Sequence, residues 1–305
     1  MDLTAQFSRT QWACGQGFFY SGWVKFEDAV FNYVYDCGSL NPPTLSREIS
    51  VYANGLDAPI DQLFLSHFHL DHISGLPELF RRTTVRRAAY PCVPPAERLL
   101  AVVASLQGAY AGQRYLDLEW VSRCIAGPGD ALRDLAEGDF EIDEIVPLVI
   151  DGTDEGVDGA PASTRGSAKS LQSVTARIGS RVVVLWEWVP LAVAFASART
   201  SSFIRDLANR LQTSTGNLES QLRSSDKILY LLLNERQNLI DAYQATFNDV
   251  NLSSLLVYSG PPAKANVRVR TFTRRGNYYR GDLSCWGRLS AWLGTGDQRM
   301  GARRT

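Results

Sequence analysis

The chain is poor in histidine, with three in 305 residues, and poor in lysine, where Lys25, Lys169, Lys227 and Lys264 are the full set. Its net charge is −1, from 31 basic and 32 acidic residues, so no global basic field advertises a nucleic-acid or membrane surface. The five cysteines are odd in number, widely spread and never spaced CxxC. That excludes a disulfide framework and a cysteine zinc site as readings, and it makes a reducing cytoplasm the expected compartment. No apolar run reaches the roughly 20 residues of a membrane span. The nearest, Val182 to Ala198, is interrupted by Glu187 and Pro190 and reads as a buried strand with its continuation. Met1 to Thr10 lacks the basic start and apolar run of a secretory leader. With 45% hydrophobic and 21% charged residues, the composition is that of a globular protein with a core, not of a disordered chain.

Aromatic and β-branched runs at Gly17–Val24 and Phe31–Asp36 predict paired strands, and Asn41-Pro42-Pro43 introduces a short helix over Thr44–Ala53. Ile60–Ser66 reads as a buried strand that ends in His67-Phe68-His69-Leu70-Asp71-His72, with Ile73–Arg82 continuing as a helix. A polar loop between strand and helix is where α/β proteins place their chemistry. Further strands are expected at Thr83–Tyr90, Phe140–Ile150, Arg181–Val189, Asn251–Ser259, Val267–Thr273 and Arg288–Thr295, with a helix at Pro94–Ala111. Gly152–Ser170 reads as a loop, and Phe203–Phe247 as two helices, broken near Ser214-Thr215-Gly216, that cover a sheet.

All three histidines fall inside one six-residue window, together with Asp71. At a strand end, residues two apart point the same way, so His67 and His69 can converge on one cation. The chain then turns, and Asp71 and His72 face a second point nearby. Imidazole and carboxylate suit zinc or a similar first-row metal, and two cations about 3.5–4 Å apart can share a hydroxide of lowered pKa. A Ser–His or Cys–His pair needs one base beside a nucleophile, not three clustered imidazoles.

Phe64-Leu65-Ser66-His67-Phe68-His69-Leu70-Asp71-His72-Ile73-Ser74-Gly75-Leu76 resembles the His-x-His-x-Asp-His signature of metallo-β-lactamase-fold hydrolases. Tyr35-Asp36-Cys37-Gly38-Ser39 resembles that family's first aspartate-bearing strand end, and Trp292 to Asp297 its Thr-Gly-Asp strand end. Asn251 to Val257 resembles the Asn-x-x-Ser-Leu-Val strand of the branch that includes the competence-protein hydrolase domain.

The resemblance implies an α/β (α+β) fold, a four-layer αββα sandwich, as one domain over 1–305 with an insertion around 152–225 that would form a lid over the cleft. It implies one or two divalent ions, zinc first, with manganese or iron as alternatives. His67 and His69 would hold the first ion, Asp71 and His72 the second, and Asp297 would bridge them. Asp71 would also serve catalysis, orienting water or protonating the leaving group. The family's further histidines have no counterpart here, and Asp151 is the candidate substitute donor. The tail Gln298–Thr305 has no apolar pattern, so an incomplete C-terminal half is expected, completed by a protein partner or a second copy. The expected activity is metal-dependent hydrolysis of a phosphate-containing substrate, a phosphodiester of nucleic acid or nucleotide. Arginines at Arg81, Arg82, Arg86 and Arg87 and at Arg268, Arg270, Arg274, Arg275 and Arg280 suit phosphate. The alternative is a degenerate module that binds without turnover.

Overall fold

Eight stretches of the computed structural model are described: residues 3–106, 117–136, 142–149, 172–178, 181–192, 197–247, 255–260 and 267–271. Three strands, β1 (Leu3–Gln11), β2 (Gly17–Phe26) and β3 (Ala29–Ser39), form an antiparallel meander. From β3 the sheet continues in parallel through β4 (Gln62–Phe64), β5 (Arg87–Cys92) and β6 (Glu144–Val149), while β10 (Val267–Thr271) pairs with the other side of β1. A second sheet contains β7 (Gln172–Ile178), β8 (Arg181–Ala192) and β9 (Leu255–Gly260), all antiparallel.

The parallel strands are buried on both faces, and the side-chain period of two assigns each residue to a core. Val34, Leu63, Leu65 and Ala88 face a helical core, whereas Tyr33, Phe64 and Ala89 face the second sheet. Between the sheets, Trp188 lies against Phe31 and Tyr33 with ring centroids 4.5 and 5.5 Å apart, and Trp186 against Phe7 at 5.1 Å. Aromatic pairs at such spacings add packing energy beyond the area they bury.

The helical layer begins with α1 (Pro42–Asn54), where Asn41 caps the Thr44 N–H and two prolines open the first turn. After β4 come α2 (Leu70–Ile73) and α3 (Leu76–Arg82), and after β5 come α4 (Pro95–Leu106), α5 (Leu118–Ala126) and α6 (Pro128–Leu135). Four helices follow β8: α7 (Ser197–Arg210), α8 (Thr215–Gln221), α9 (Ser225–Asn234) and α10 (Arg236–Thr246). They pack into the same core, with α9 against α5 and α10 against α7 and α4. The class is α/β as expected, and among the described residues helices, large sheet and small sheet make three layers of the four expected.

Several elements depart from the sequence expectations. The single helix expected over Ile73–Arg82 is broken, because Gly75 donates its N–H to Cys37 O at 2.9 Å and its Cα is pressed against Cys37 and Leu45. The two helices expected over Phe203–Phe247 are four, with Ser214 capping α8 through the Asn217 N–H. Strands β1 and β7 and helices α5 and α6 were not anticipated, although Ala5 and Phe7 alternate with polar neighbours and Trp120, Val121, Cys124 and Ile125 keep helical spacing. Val182–Ala198 divides into β8, with Leu185, Trp186 and Trp188 buried, and the start of α7. Among the described residues no helix is long and apolar enough to cross a membrane. Cys14, Cys37, Cys92 and Cys124 are buried and free. The expected loop at Gly152–Ser170 and the strand at Arg288–Thr295 lie outside the described residues.

Burial in the first turn of α4 pushes the Glu97 carboxyl up to about 7, against the opposing pull of Arg98. A carboxyl whose folded value is raised loses stability as pH rises from its unfolded value through the folded one. Glu97→Gln is therefore expected to flatten the fall in stability between about pH 4.5 and 7 and to leave the protein more stable than wild type above pH 7. Urea unfolding at a series of pH values checks this.

Candidate metal centre

The site forms where β4 runs out. Leu65 keeps one sheet hydrogen bond, from its N–H to Ala89 O at 2.8 Å, and the chain then leaves the sheet at its carboxyl edge. What holds the next residues is Asp36 on the neighbouring strand. Phe19 pairs with Cys37 and Tyr20 with Tyr35, so Asp36 is the extra residue of a β-bulge. Its φ is 58°, in the left-handed region, which for a residue other than glycine costs on the order of 1–3 kcal/mol. The bulge turns its fully buried carboxylate toward the loop.

Three donors meet that carboxylate. The Ser66 N–H reaches Oδ1 at 2.7 Å, the Ser66 hydroxyl reaches Oδ2 at 2.5 Å, and His72 Nδ1 lies 2.9 Å from Oδ2. Ser66 Oγ also lies 2.7 Å from His67 Nδ1. Since the serine proton goes to Asp36, Nδ1–H of His67 must donate to Ser66, which leaves the lone pair on His67 Nε2. That Nε2 is buried and has no hydrogen-bond partner. A buried imidazole nitrogen that carries a lone pair and no hydrogen-bond partner fits the role of a metal donor.

Electrostatics agree with that tautomer. Burial, with the nearby imidazoles of His72 and His69, pulls His67 down to about 2, and burial with His72 pulls His69 down to about 4. Both are neutral at physiological pH, as metal ligands must be. For His72 burial also acts downward, but the hydrogen bond and charge of Asp36, helped by Asp71, outweigh it and the net direction is up. The His67 ring centroid is 4.5 Å from that of His69 and 4.0 Å from that of His72. Asp71, the most exposed of the four, places Oδ2 3.8 Å from His72 Nε2.

Of the residues expected at the site, His67, His69, Asp71 and His72 are brought together, whereas Asp297 and Asp151 lie outside the described residues. Among the described residues no group of three or more His, Cys, Asp or Glu closes round a single point. The donors fit a divalent cation by chemistry, as neutral imidazoles with a nitrogen left unpaired and a carboxylate beside them.

Close backbone approach fixes the floor of the site. A methyl group on Gly38 would lie 2.5 Å from both the N and C atoms of His72, so only glycine lets β3 pass beneath α2. Phe18, opposite Gly38 on β2, stacks parallel to the His72 ring at 5.8 Å and meets Tyr35 edge-on at 5.7 Å. The sequence motifs contain Asp36, Gly38 and Ser66 but assign them no role at the metal site, and Phe18 lies in none of them. The glycine two residues after Asp36 was the available signal.

Residues 29–91, from β3 through β5, match the family model of the metallo-beta-lactamase superfamily. Through this segment the chain is similar to that superfamily. No curated protein matches the chain. Among solved structures it is similar to MEM-A1, a subclass B3 metallo-beta-lactamase isolated from a soil metagenome library, at 13% identity and a TM-score of 0.21, over 80% of this chain and 93% of that one. The superfamily segment holds all three histidines and Asp36, so the match and the cluster coincide.

The arginines expected to favour phosphate divide by position. Arg86 and Arg87 precede or open β5, at the amino ends of the parallel strands and thus on the opposite edge from the histidines. Arg82, Arg86 and Arg87 are paired with Glu78, Asp61 and Glu144. Arg274, Arg275 and Arg280 lie outside the described residues.

Asp36→Ala is expected to destabilise the fold by at least about 3 kcal/mol, since three donors lose their acceptor. Burial then acts on His72 unopposed by Asp36, and its titration midpoint should fall below the ordinary 6.5. Chemical denaturation and histidine NMR titration measure the two effects. Gly38→Ala should displace α2 and lower the thermal midpoint by several degrees, the size of a core clash of about 1–3 kcal/mol.

Proposed function

We propose that the chain is a metal-dependent hydrolase that uses an activated water on phosphodiester bonds of nucleic acid or nucleotides. The match of residues 29–91 to the superfamily supports a metal-dependent hydrolase in general. The observation that carries the reading is the orphaned Nε2 of a neutral, buried His67, beside the rings of His69 and His72. The finer choice of substrate is supported by the resemblance of Asn251–Val257 to the competence-protein branch, and it gains nothing from Arg81 to Arg87.

His67 through Nε2, His69, Asp71 and His72 would hold one or two divalent ions, zinc by preference, with manganese or iron as alternatives. A divalent ion supplies Lewis acidity there and lowers the pKa of water toward neutrality. Asp36 holds His72 by Nδ1, so that its Nε2 faces Asp71. Ser66 passes the same hold to His67 and keeps its proton on Nδ1. Asp71, partly open to solvent, is placed to accept a proton from an attacking water at Oδ2 and to return it to the leaving group. Asp151 and Asp297 remain the candidates for further donors, and a partner chain or second copy is the remaining source. Buried free thiols suit the cytoplasm as its place of action.

A second reading is favoured by one observation, that no three described donors close round a point. In that reading the module binds a partner or ligand without turnover.

Protein purified without chelators should carry about one to two divalent ions per chain by elemental analysis. It should cleave single- or double-stranded DNA, RNA or a generic phosphodiester, with loss of activity in EDTA. His69→Ala should lower the rate by about a hundredfold or more, in line with second-ligand losses at metal sites. Equal rates in both proteins, or none in either, overturn the hydrolase; metal that dialyses away with no turnover supports the binding module.

A further inference from the structure

The His67–His69 loop is anchored from Asp36 on one side, and a second anchor lies on the other. Phe68, between the two histidines, is buried in the helical core and is 2% exposed. The Arg98 guanidinium sits over its ring, 5.9 Å from the centroid, within the range of a cation–π contact. Tyr90 meets the same ring edge-on at 6.3 Å.

Arg98 is itself 6% exposed. Among the described residues its polar contacts all go to backbone carbonyls. Nε donates to Ile125 O at 2.7 Å, one terminal nitrogen to Ala126 O at 3.1 Å, and the other to Val93 O. Ile125 and Ala126 end α5, where the helix dipole is negative, so the buried charge is matched by carbonyls and an aromatic face. Burying a guanidinium is costly, and an apolar side chain of equal volume would fill the space without that cost. The planar fork is what an apolar chain would lack: it ties the β5–α4 loop and the end of α5 to one ring.

Ser105 lies seven residues, two helical turns, after Arg98 and thus on the same face of α4. Its hydroxyl accepts the Leu70 N–H at 3.0 Å, at the first turn of α2, immediately after His69. One face of α4 therefore grips the loop at Phe68 and again at Leu70, with His69 between the two points. Neither contact touches a histidine, and both set the backbone from which the imidazoles project.

We infer that α4 is a rail for the metal-donor loop, with Arg98 and Ser105 as positioning residues that set where His67 and His69 point. The metal half of this inference rests on the hydrolase reading above; the geometric half does not.

Selective 15N-histidine labelling resolves three rings in this chain, one for each histidine. Arg98→Met, Arg98→Lys and Ser105→Ala are compared with wild type without metal, and then by chelator competition for zinc and by cobalt absorption, at temperatures well below each unfolding midpoint. In Arg98→Met the ring signals of His67 and His69 should move while that of His72, held by Asp36, moves least. Zinc affinity should fall by about tenfold or more and the cobalt spectrum should change. Arg98→Lys, which keeps the charge and loses the fork, should recover part of both, and Ser105→Ala should disturb His69 more than His67. If the variants show a lower thermal midpoint with wild-type ring signals, zinc affinity and cobalt spectrum, Arg98 and Ser105 are packing residues only and the inference fails. If wild type takes up no metal while the ring signals still move in the variants, the hydrolase reading fails and the rail stands. Should Arg98→Met not fold, Arg98→Lys and Ser105→Ala decide by the same signals.

Discussion

The Asp36 carboxylate is the constraint on which the site depends. It sits in a bulge, in a left-handed backbone conformation, with no exposure to solvent. Each of those features is unfavourable alone. Together they deliver one acceptor to the point where three donors from a different stretch of chain need it. A regular strand would have aimed residue 36 into one of the two cores, and the Ser66 N–H would then be buried without a partner. The strain and the hydrogen bonds are therefore one arrangement, with the second offsetting the first.

This arrangement also fixes protonation. Asp36 accepts the serine O–H, the serine oxygen accepts the Nδ1–H of His67, and the lone pair is left on Nε2. The chain of three groups converts a buried negative charge into a directed, neutral donor. His72 is held by the same carboxylate through the equivalent nitrogen, so two of the three imidazoles share one source of orientation. His69 has no part in that chain and depends on the backbone between Phe68 and Leu70, which explains why a second anchor from the helical side matters to this loop.

Much of this was legible in the sequence, for identifiable reasons. The buried parallel strands announce themselves as short continuous apolar runs, and Leu63-Phe64-Leu65 serves both cores at once. The histidine cluster is a local signal, six residues long, and the superfamily segment over 29–91 encloses it. What was not legible is long-range. The bulge at Asp36 arises from register against β2, and the broken helix at Gly75 from a hydrogen bond to Cys37, some 38 residues away. Arg98 reads in sequence as an ordinary helical arginine; only the arrival of Phe68 and the end of α5 at its two sides gives it a task. Strand β1 was passed over because its apolar residues, Leu3, Ala5 and Phe7, are few and spaced by polar ones.

Charge placement narrows how an anionic substrate would be met. Arg82, Arg86 and Arg87 lie toward the amino ends of the parallel strands and are engaged with Glu78, Asp61 and Glu144. On the β2 side the groups that border His72 are instead aromatic, with Phe18 parallel to its ring and Tyr35 and Tyr20 beyond it. Aromatic faces recognise flat or apolar groups and contribute little to binding phosphate directly. On this side of the site, attraction for an anion would come from cations held by the imidazoles, not from an arginine groove. Selectivity along β2 and β3 would then concern what flanks the scissile bond rather than the bond's own charge.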